Sequence, residues 1–271
     1  MMTGKKIGII GCGNMGEAIL SALSKVLEKS VSIMVSELDA SRRAEIQEKH
    51  KIIVEIDNNY LVKYSDVIML AVKPRDLENV LRQEVCCGIS EDKLIISIAA
   101  GVTTKHIEGV VGGKIPVVRA MPNMPATIGK AMTAISAGSA AAKRDIDLAR
   151  KIFETMGDVV EVDEKLMDAV TAISGSGPAY FFYVIEALAE AAVKLGIERD
   201  AAEELAVKTA IGSSELLEKL KEHPGSLRKK VTSKGGTTEA ALKVFDDKGL
   251  NKIIEDAALA ACKRSKELSK G

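Results

Sequence analysis

Residues 6–19 read KIGIIGCGNMGEAI: a short β-rich run, three glycines spaced as G-x-G-x-x-G, and the start of an apolar helical stripe. This order constrains the fold more than any other feature of the chain. Gly11 permits a tight turn, Gly13 lets a pyrophosphate touch backbone, and Gly16 lets the following helix pack close to the strand. Asn14 and Met15 open that helix, whose first amide groups and positive dipole end suit an anion. Met15, Ala18, Ile19, Ala22, Leu23 and Val26 recur at three- and four-residue spacing, which is one helix face. The motif predicts a βα unit that binds a dinucleotide.

The same alternation continues. β-rich runs occur at 6–10, 31–36, 66–72, 94–99 and 116–120, with helical patterns between them. Strand and helix in turn imply βαβ units and a parallel sheet covered by helices on both faces. Residues 130–137 and 158–163 read as further strands at the sheet edge. After 163 the strands stop. Pro178 suits an N1 position and Gly196 a C′ stop, so 178–195 is expected as a helix. Asp200 and Glu203 fit a capping box that opens a second helix to about 220. A third is expected from near 237, and Asn251 opens a fourth to about 268. The expected organisation is α/β: a Rossmann-type dinucleotide-binding domain over 1–163, then an all-helical domain over 164–271.

The helix PAYFFYVIEALAEAAVKLGI has almost no polar face until its end. A helix apolar nearly all round is buried on several sides. The remaining helical residues are too few to enclose it, so a partner chain is expected to cover it.

Composition excludes several classes. Basic and acidic residues balance at 38 each, which favours neither nucleic acid nor an anionic membrane. No apolar run approaches about 18 residues, the length of a membrane span, and no signal peptide is expected ahead of the first strand. Cys12, Cys86, Cys87 and Cys262 form no CxxC and have no histidine cluster beside them, so no metal site is expected. Adjacent Cys86 and Cys87 read as free thiols of a reducing cytosol. His50, His106 and His223 are scattered and read as surface or loop residues.

Ligands in such sheets lie at the carboxyl ends of the strands. Glu37, at the end of the second strand, suits the ribose 2′-hydroxyl of NAD(H). Arg42 and Arg43 follow within reach of a 2′-phosphate, which suits NADP(H), and the two signals leave the nucleotide open. Ala71, Val72, Lys73 and Pro74 end one strand, and Met121, Pro122 and Asn123 end another; the prolines free backbone groups there for a ligand.

A second glycine loop, VTSKGGTTEAAL at 231–242, opens a helix far from the first. The segments GIIGCGNMGEAI, AVKP, AAGV, RAMPNMPA, SGSGPAYFF and VTSKGGTTEAAL, in this order, resemble pyrroline-5-carboxylate reductases over about 6–268. One departure is Lys234, where that family usually has proline. The resemblance implies hydride transfer from NAD(P)H to C5 of a cyclic imine, giving L-proline. It implies cofactor contacts at the residues above and at Ala100, and substrate contacts at Ser233, Gly235, Gly236, Thr237 and Thr238. Amides near Thr237 and Thr238 would take the substrate carboxylate. The Thr238 hydroxyl would serve the ring nitrogen, and Ser176 would line the pocket. It further implies a homodimer with interlocked helical domains, and larger assemblies of such dimers. SGSGP is not a serine-hydrolase elbow, because the spacing differs from G-x-S-x-G and no strand leads into it.

Overall fold

β1 (Lys6–Ile10) lies inside an eight-stranded sheet of order β3-β2-β1-β4-β5-β6-β7-β8. The computed structural model describes residues 4–26 and 32–268. β2 is Ser32–Ser36, β3 Val54–Glu55, β4 Val67–Leu70, β5 Leu94–Ser97 and β6 Val117–Met121. These six strands run parallel, with Ile7 in register with both Ile33 and Val67. β7 (Ala131–Ala137) turns back antiparallel to β6, and β8 (Gly157–Glu161) runs parallel to β7 at the edge. Val31, expected in the second strand, and the side chain of Val26 lie outside the described residues. β3 was not expected: two residues carry no readable alternation.

Alternate strand residues point to opposite faces, and both faces are buried. Ile7, Ile9, Val35, Met69, Ile96 and Val118 face α1 (Asn14–Val26) and α6 (Lys143–Phe153), which contribute Ile19, Leu23, Ile152 and Phe153. Ile10, Ile68, Leu70, Ile95 and Val117 face α3 (Asn58–Tyr64), α4 (Pro74–Val80) and α5 (Thr104–Val111) through Leu61, Leu77 and Ile107. This two-sided burial is why the strands read as continuous apolar runs. α2 (Ala40–His50) follows β2 and is N-capped by Asp39, whose carboxylate accepts the Arg42 amide at 2.8 Å.

The chain divides into two compact units, Met1–Ser176 with Ala260–Gly271, and Gly177–Leu259. Residues 164–176, placed after the boundary expected near 163, group with the sheet. Glu164 accepts the Thr104 amide and hydroxyl, each at 2.7 Å. Asp168, in α7 (Met167–Val170), approaches the buried Arg119 guanidinium of β6 at 3.4 Å. Asp168 also accepts the Ser265 hydroxyl at 2.7 Å, and Ser265 belongs to α12 (Leu250–Leu268).

The second unit is helical. α8 (Gly177–Lys194) and α9 (Arg199–Leu220) pack on one another, and their small residues Ala189, Ala202 and Ala206 are buried. The capping box at Asp200 and Glu203 does not form. The helix starts at Arg199 with Glu198 as N-cap, which places Asp200 inside the first turn. Arg199 there ion-pairs with Glu190 of α8. α10 (Pro224–Lys230) was not foreseen; His223 caps it, its Nδ1 accepting the Gly225 amide at 3.1 Å. α11 is Thr237–Asp247, and α12 begins at Leu250, one residue before Asn251. Phe181, Phe182, Tyr183 and Val184 on α8 are exposed, Tyr183 to 73%.

Candidate active site

The turn after β1 builds the first site. Gly11 has φ +86°, which a side chain rarely adopts, and a Cβ there would lie 2.9 Å from Val72 Cγ1. A Cβ on Gly16 would collide with the Gly11 carbonyl oxygen, so this glycine sets how closely α1 approaches the turn. A Cβ on Gly13 would meet nothing within 4 Å. The space above Gly13 is open, and the turn fits a phosphate group resting on backbone. Asn14 is exposed at the start of α1, and Met15 packs partly against the core.

Gly11, Gly13, Glu37, Ala71, Val72 and Lys73 line one cleft at the carboxyl ends of β1, β2 and β4. It lies beside the point where the strand order reverses between β1 and β4, the crevice where such sheets bind nucleotides. The Glu37 carboxylate accepts the Cys12 amide at 2.9 Å and the Asp39 amide at 3.0 Å. Lys73 is the N-cap of α4 and Pro74 occupies its first turn.

Arg42 and Arg43 are both engaged. Arg42 Nε donates to the Cys12 carbonyl at 3.0 Å, and its terminal nitrogens pair with Glu45 at 2.7 Å and with Glu17. Arg43 donates to the carbonyls of Glu37 at 2.8 Å and Leu38 at 2.7 Å. Glu17 also holds Lys49 at 2.8 Å and His50 at 3.1 Å. Burial alone would raise the Glu17 carboxyl, but the bonds from Lys49, His50 and Arg42 outweigh it and bring it down to about 2. His50, read from sequence as a surface or loop residue, is therefore half-buried in this cluster. Burial pushes the Cys12 thiol up to about 12 despite the neighbouring Arg42.

At β6 the second set of strand-end residues meets the SGSGP segment. Asn123 donates to the Ser174 carbonyl at 3.2 Å and to its hydroxyl at 3.3 Å, and accepts the Met132 amide at 3.0 Å. A Cβ on Gly175 would come to 2.5 Å from Met121 Cε, so glycine allows that methionine to lie against the segment. Ser176 is half-buried at its end, and Ala100 is half-buried beyond β5.

The second glycine loop lies in the helical unit. Gly235 has φ +73°, and Gly236 is the N-cap of α11 with no side-chain cap bond. A Cβ on Gly236 would collide with the Ser233 hydroxyl and come to 3.1 Å from the Ser233 carbonyl. Thr237 and Thr238 form the first turn of α11, and Thr238 is half-buried. Lys234 is exposed. The loop is a helix start with no side-chain cap, a geometry that suits an anion.

Residues 164–268 match the family model for pyrroline-5-carboxylate reductase dimerisation, and residues 6–101 match that for NADP oxidoreductase coenzyme F420-dependent. A pyrroline-5-carboxylate reductase from Synechocystis is 43% identical over 98% of both chains. The chain belongs to the pyrroline-5-carboxylate reductase family. The reductase structure from Coxiella burnetii is 35% identical with a TM-score of 0.90, covering 100% of both chains. That of Plasmodium falciparum pyrroline carboxylate reductase, with NADP bound, is 29% identical with a TM-score of 0.89, covering 99% of this chain and 100% of that one.

In this pyrroline-5-carboxylate reductase family member, sequence reading missed part of the cleft wall. Leu38, Ile56, Asn58, Arg75 and Asp76 also line it. Asn58 lies under the cleft, hydrogen-bonded to Ser36 and Glu84. Ile56 and Asn58 follow the two-residue β3, so no pattern announced them. Glu239 was missed as well: its Oε2 accepts the Gly235 amide at 2.7 Å, from one turn into α11. The E at the third position after the Gly236 N-cap was the available signal.

Proposed function

We infer that this chain catalyses the NAD(P)H-dependent reduction of 1-pyrroline-5-carboxylate to L-proline, the last step of proline biosynthesis. The observation that carries the reading is 43% identity to a reductase of this name over 98% of both chains, joined to two separate glycine loops that each open a helix. A small substrate with its own carboxylate needs an anion site apart from the cofactor's phosphates.

The reduced nicotinamide, when bound, supplies the hydride. The Gly11–Gly16 turn and the start of α1 hold the pyrophosphate. Glu37, Ala71, Val72, Lys73, Pro74, Ala100, Met121 and Asn123 border the rest of the cofactor, with Asn123 also anchoring the SGSGP segment. Ser233, Gly235, Gly236 and the amides of Thr237 and Thr238 hold the substrate carboxylate through the α11 dipole. C5 gains the hydride, the C=N electron pair moves to nitrogen, and that nitrogen carries the proton. The Thr238 hydroxyl keeps the proton oriented at the ring nitrogen, and Ser176 lines the substrate side. An iminium is already electrophilic, so positioning and exclusion of water supply most of the catalysis. The hard chemistry belongs to the cofactor.

The working form is a homodimer with interlocked helical domains, and dimers assemble further. Support comes from the exposed aromatic row Phe181–Tyr183 and from the dimerisation family match over 164–268. No helix among the described residues is long and apolar enough to cross a membrane; with a biosynthetic role, the site of action is the cytoplasm.

Cofactor oxidation with two imines tests the reading. 1-Pyrroline keeps the reactive bond but lacks the carboxylate. Losing two charge-assisted hydrogen bonds of about 1.5–3 kcal/mol each slows its reduction by about two orders of magnitude or more. Equal rates for the two imines would remove the carboxylate role of the 233–238 loop.

A further inference from the structure

Glu37 and Arg42 carry opposite instructions in the sequence, one for a ribose hydroxyl and one for a 2′-phosphate. Their contacts resolve the conflict. The Glu37 carboxylate is pinned at the rim of the cleft by the Cys12 amide at 2.9 Å and the Asp39 amide at 3.0 Å. A carboxylate has about four lone-pair sites, so two remain for hydroxyl donors. Its charge stands at the end of β2, where the adenosine ribose of a dinucleotide rests in this kind of sheet. Leu38 and Ile56, exposed to 68% and 59%, line the same cleft and offer apolar surface to a purine.

Arg42 is withheld. All three nitrogens of Arg42 are engaged: Nε by the Cys12 carbonyl at 3.0 Å, one terminal nitrogen by Glu45 at 2.7 Å, the other by Glu17. Glu17 remains ionised down to about pH 2, so its hold on Arg42 persists at any physiological pH. Arg43 donates to two backbone carbonyls. Arg75, also in the cleft wall, has Asp76 at 3.7 Å beside it.

We propose that this chain selects NADH over NADPH: Glu37 receives the ribose hydroxyls and repels a 2′-phosphate, and Glu17 keeps Arg42 from rescuing it. Glu37 is the specificity-determining residue and Glu17 a positioning residue. The inference rests on the dinucleotide reading of the cleft, and deepens it.

Equilibrium titrations of the whole protein with NADH and NADPH, without substrate, test it, alongside 5′-AMP and 2′,5′-ADP as fragments. NADH is expected to bind at least about tenfold tighter than NADPH, one unit of RT ln 10, and 5′-AMP tighter than 2′,5′-ADP. Added salt screens like-charge repulsion, so the NADH:NADPH ratio falls as salt rises. Glu37→Gln keeps the side-chain length and an acceptor for the Cys12 amide while removing the charge; it lowers the ratio several-fold. Glu37→Ser lowers it further. Glu17→Gln releases one terminal nitrogen of Arg42, which Glu45 and the Cys12 carbonyl otherwise still hold, and tightens NADPH with NADH little changed. Circular dichroism verifies that each variant is folded. Equal or tighter NADPH binding by the wild type, or a ratio unmoved in Glu37→Gln, overturns the proposal while leaving the dinucleotide site intact. Failure to bind either dinucleotide overturns the reading of the cleft itself.

Discussion

Oε2 of Glu37 lies 2.9 Å from the amide nitrogen of Cys12, so a side chain at the end of β2 closes the glycine turn that follows β1. The turn is thereby held from two sides, since Arg42 of α2 donates to the Cys12 carbonyl at 3.0 Å. Each glycine of this turn has a separate physical task, and substitution separates them.

Gly13→Val is expected to fold and to lose dinucleotide binding. A Cβ at Gly13 meets no atom within 4 Å, so the stability cost stays near about 0.5 kcal/mol. Gly16→Val drives a side chain into the Gly11 carbonyl and is expected to cost about 3 kcal/mol through overpacking. Urea unfolding and cofactor titration of the two variants measure both effects. A folded Gly13→Val protein with unchanged affinity would falsify the assignment of the turn.

Asp168 links the buried Arg119 of β6 at 3.4 Å and the Ser265 hydroxyl of α12 at 2.7 Å. Asp168→Ala is expected to destabilise by about 1.5–3 kcal/mol, the range for hydrogen bonds to charged groups. Glu164, 3.7 Å from Arg119, prevents a larger loss. Lys143→Ala breaks only an exposed pair with Asp147 and is expected to cost less than about 1 kcal/mol. Similar unfolding midpoints for the two variants would contradict the tie.

The Glu17 carboxyl titrates at about 2 in the folded protein against an ordinary 4.5. Its folded pKa is depressed, so its contribution is complete above pH 4.5 and lost as pH falls from there through about 2. The size is on the order of 3 kcal/mol. The stability difference between wild type and Glu17→Gln, followed by denaturant unfolding, is expected to be flat above pH 4.5 and to shrink below it. A difference independent of pH across that window contradicts the ionic role of Glu17.

Thr238→Ala is expected to lower turnover by about 1–3 kcal/mol of transition-state stabilisation, with cofactor affinity unchanged. Lys234→Pro is expected to be mild, because Lys234 is exposed. Gly236→Val collides with Ser233 and is expected to nearly abolish activity. Steady-state kinetics on the three variants give the order; a Thr238→Ala enzyme with wild-type turnover removes the hydroxyl from the mechanism.

The wild-type protein is expected to be dimeric or larger at micromolar concentration by light scattering. Tyr183→Glu places a charge in the exposed aromatic row of α8 and is expected to shift the protein towards monomer with loss of activity. A fully active wild-type monomer would contradict a shared helical interface.

Alternating β-rich runs and helical stripes determined the parallel sheet, because two-sided burial forces strands to be apolar throughout. The glycine spacings determined both glycine loops, since side chains rarely adopt the positive φ of Gly11 and Gly235, and the absence of a Cβ leaves open space above Gly13. The two-residue β3, the seven-residue α10 and the start of α9 at Arg199 depended on contacts that local patterns do not encode. Tertiary structure alone decided that Asn123 anchors Ser174, that 164–176 packs with the sheet, and that Arg42 is spent on Glu17. A sequence names the charges that follow β2; which of them remains free to meet a ligand depends on partners tens of residues away, brought close only by folding.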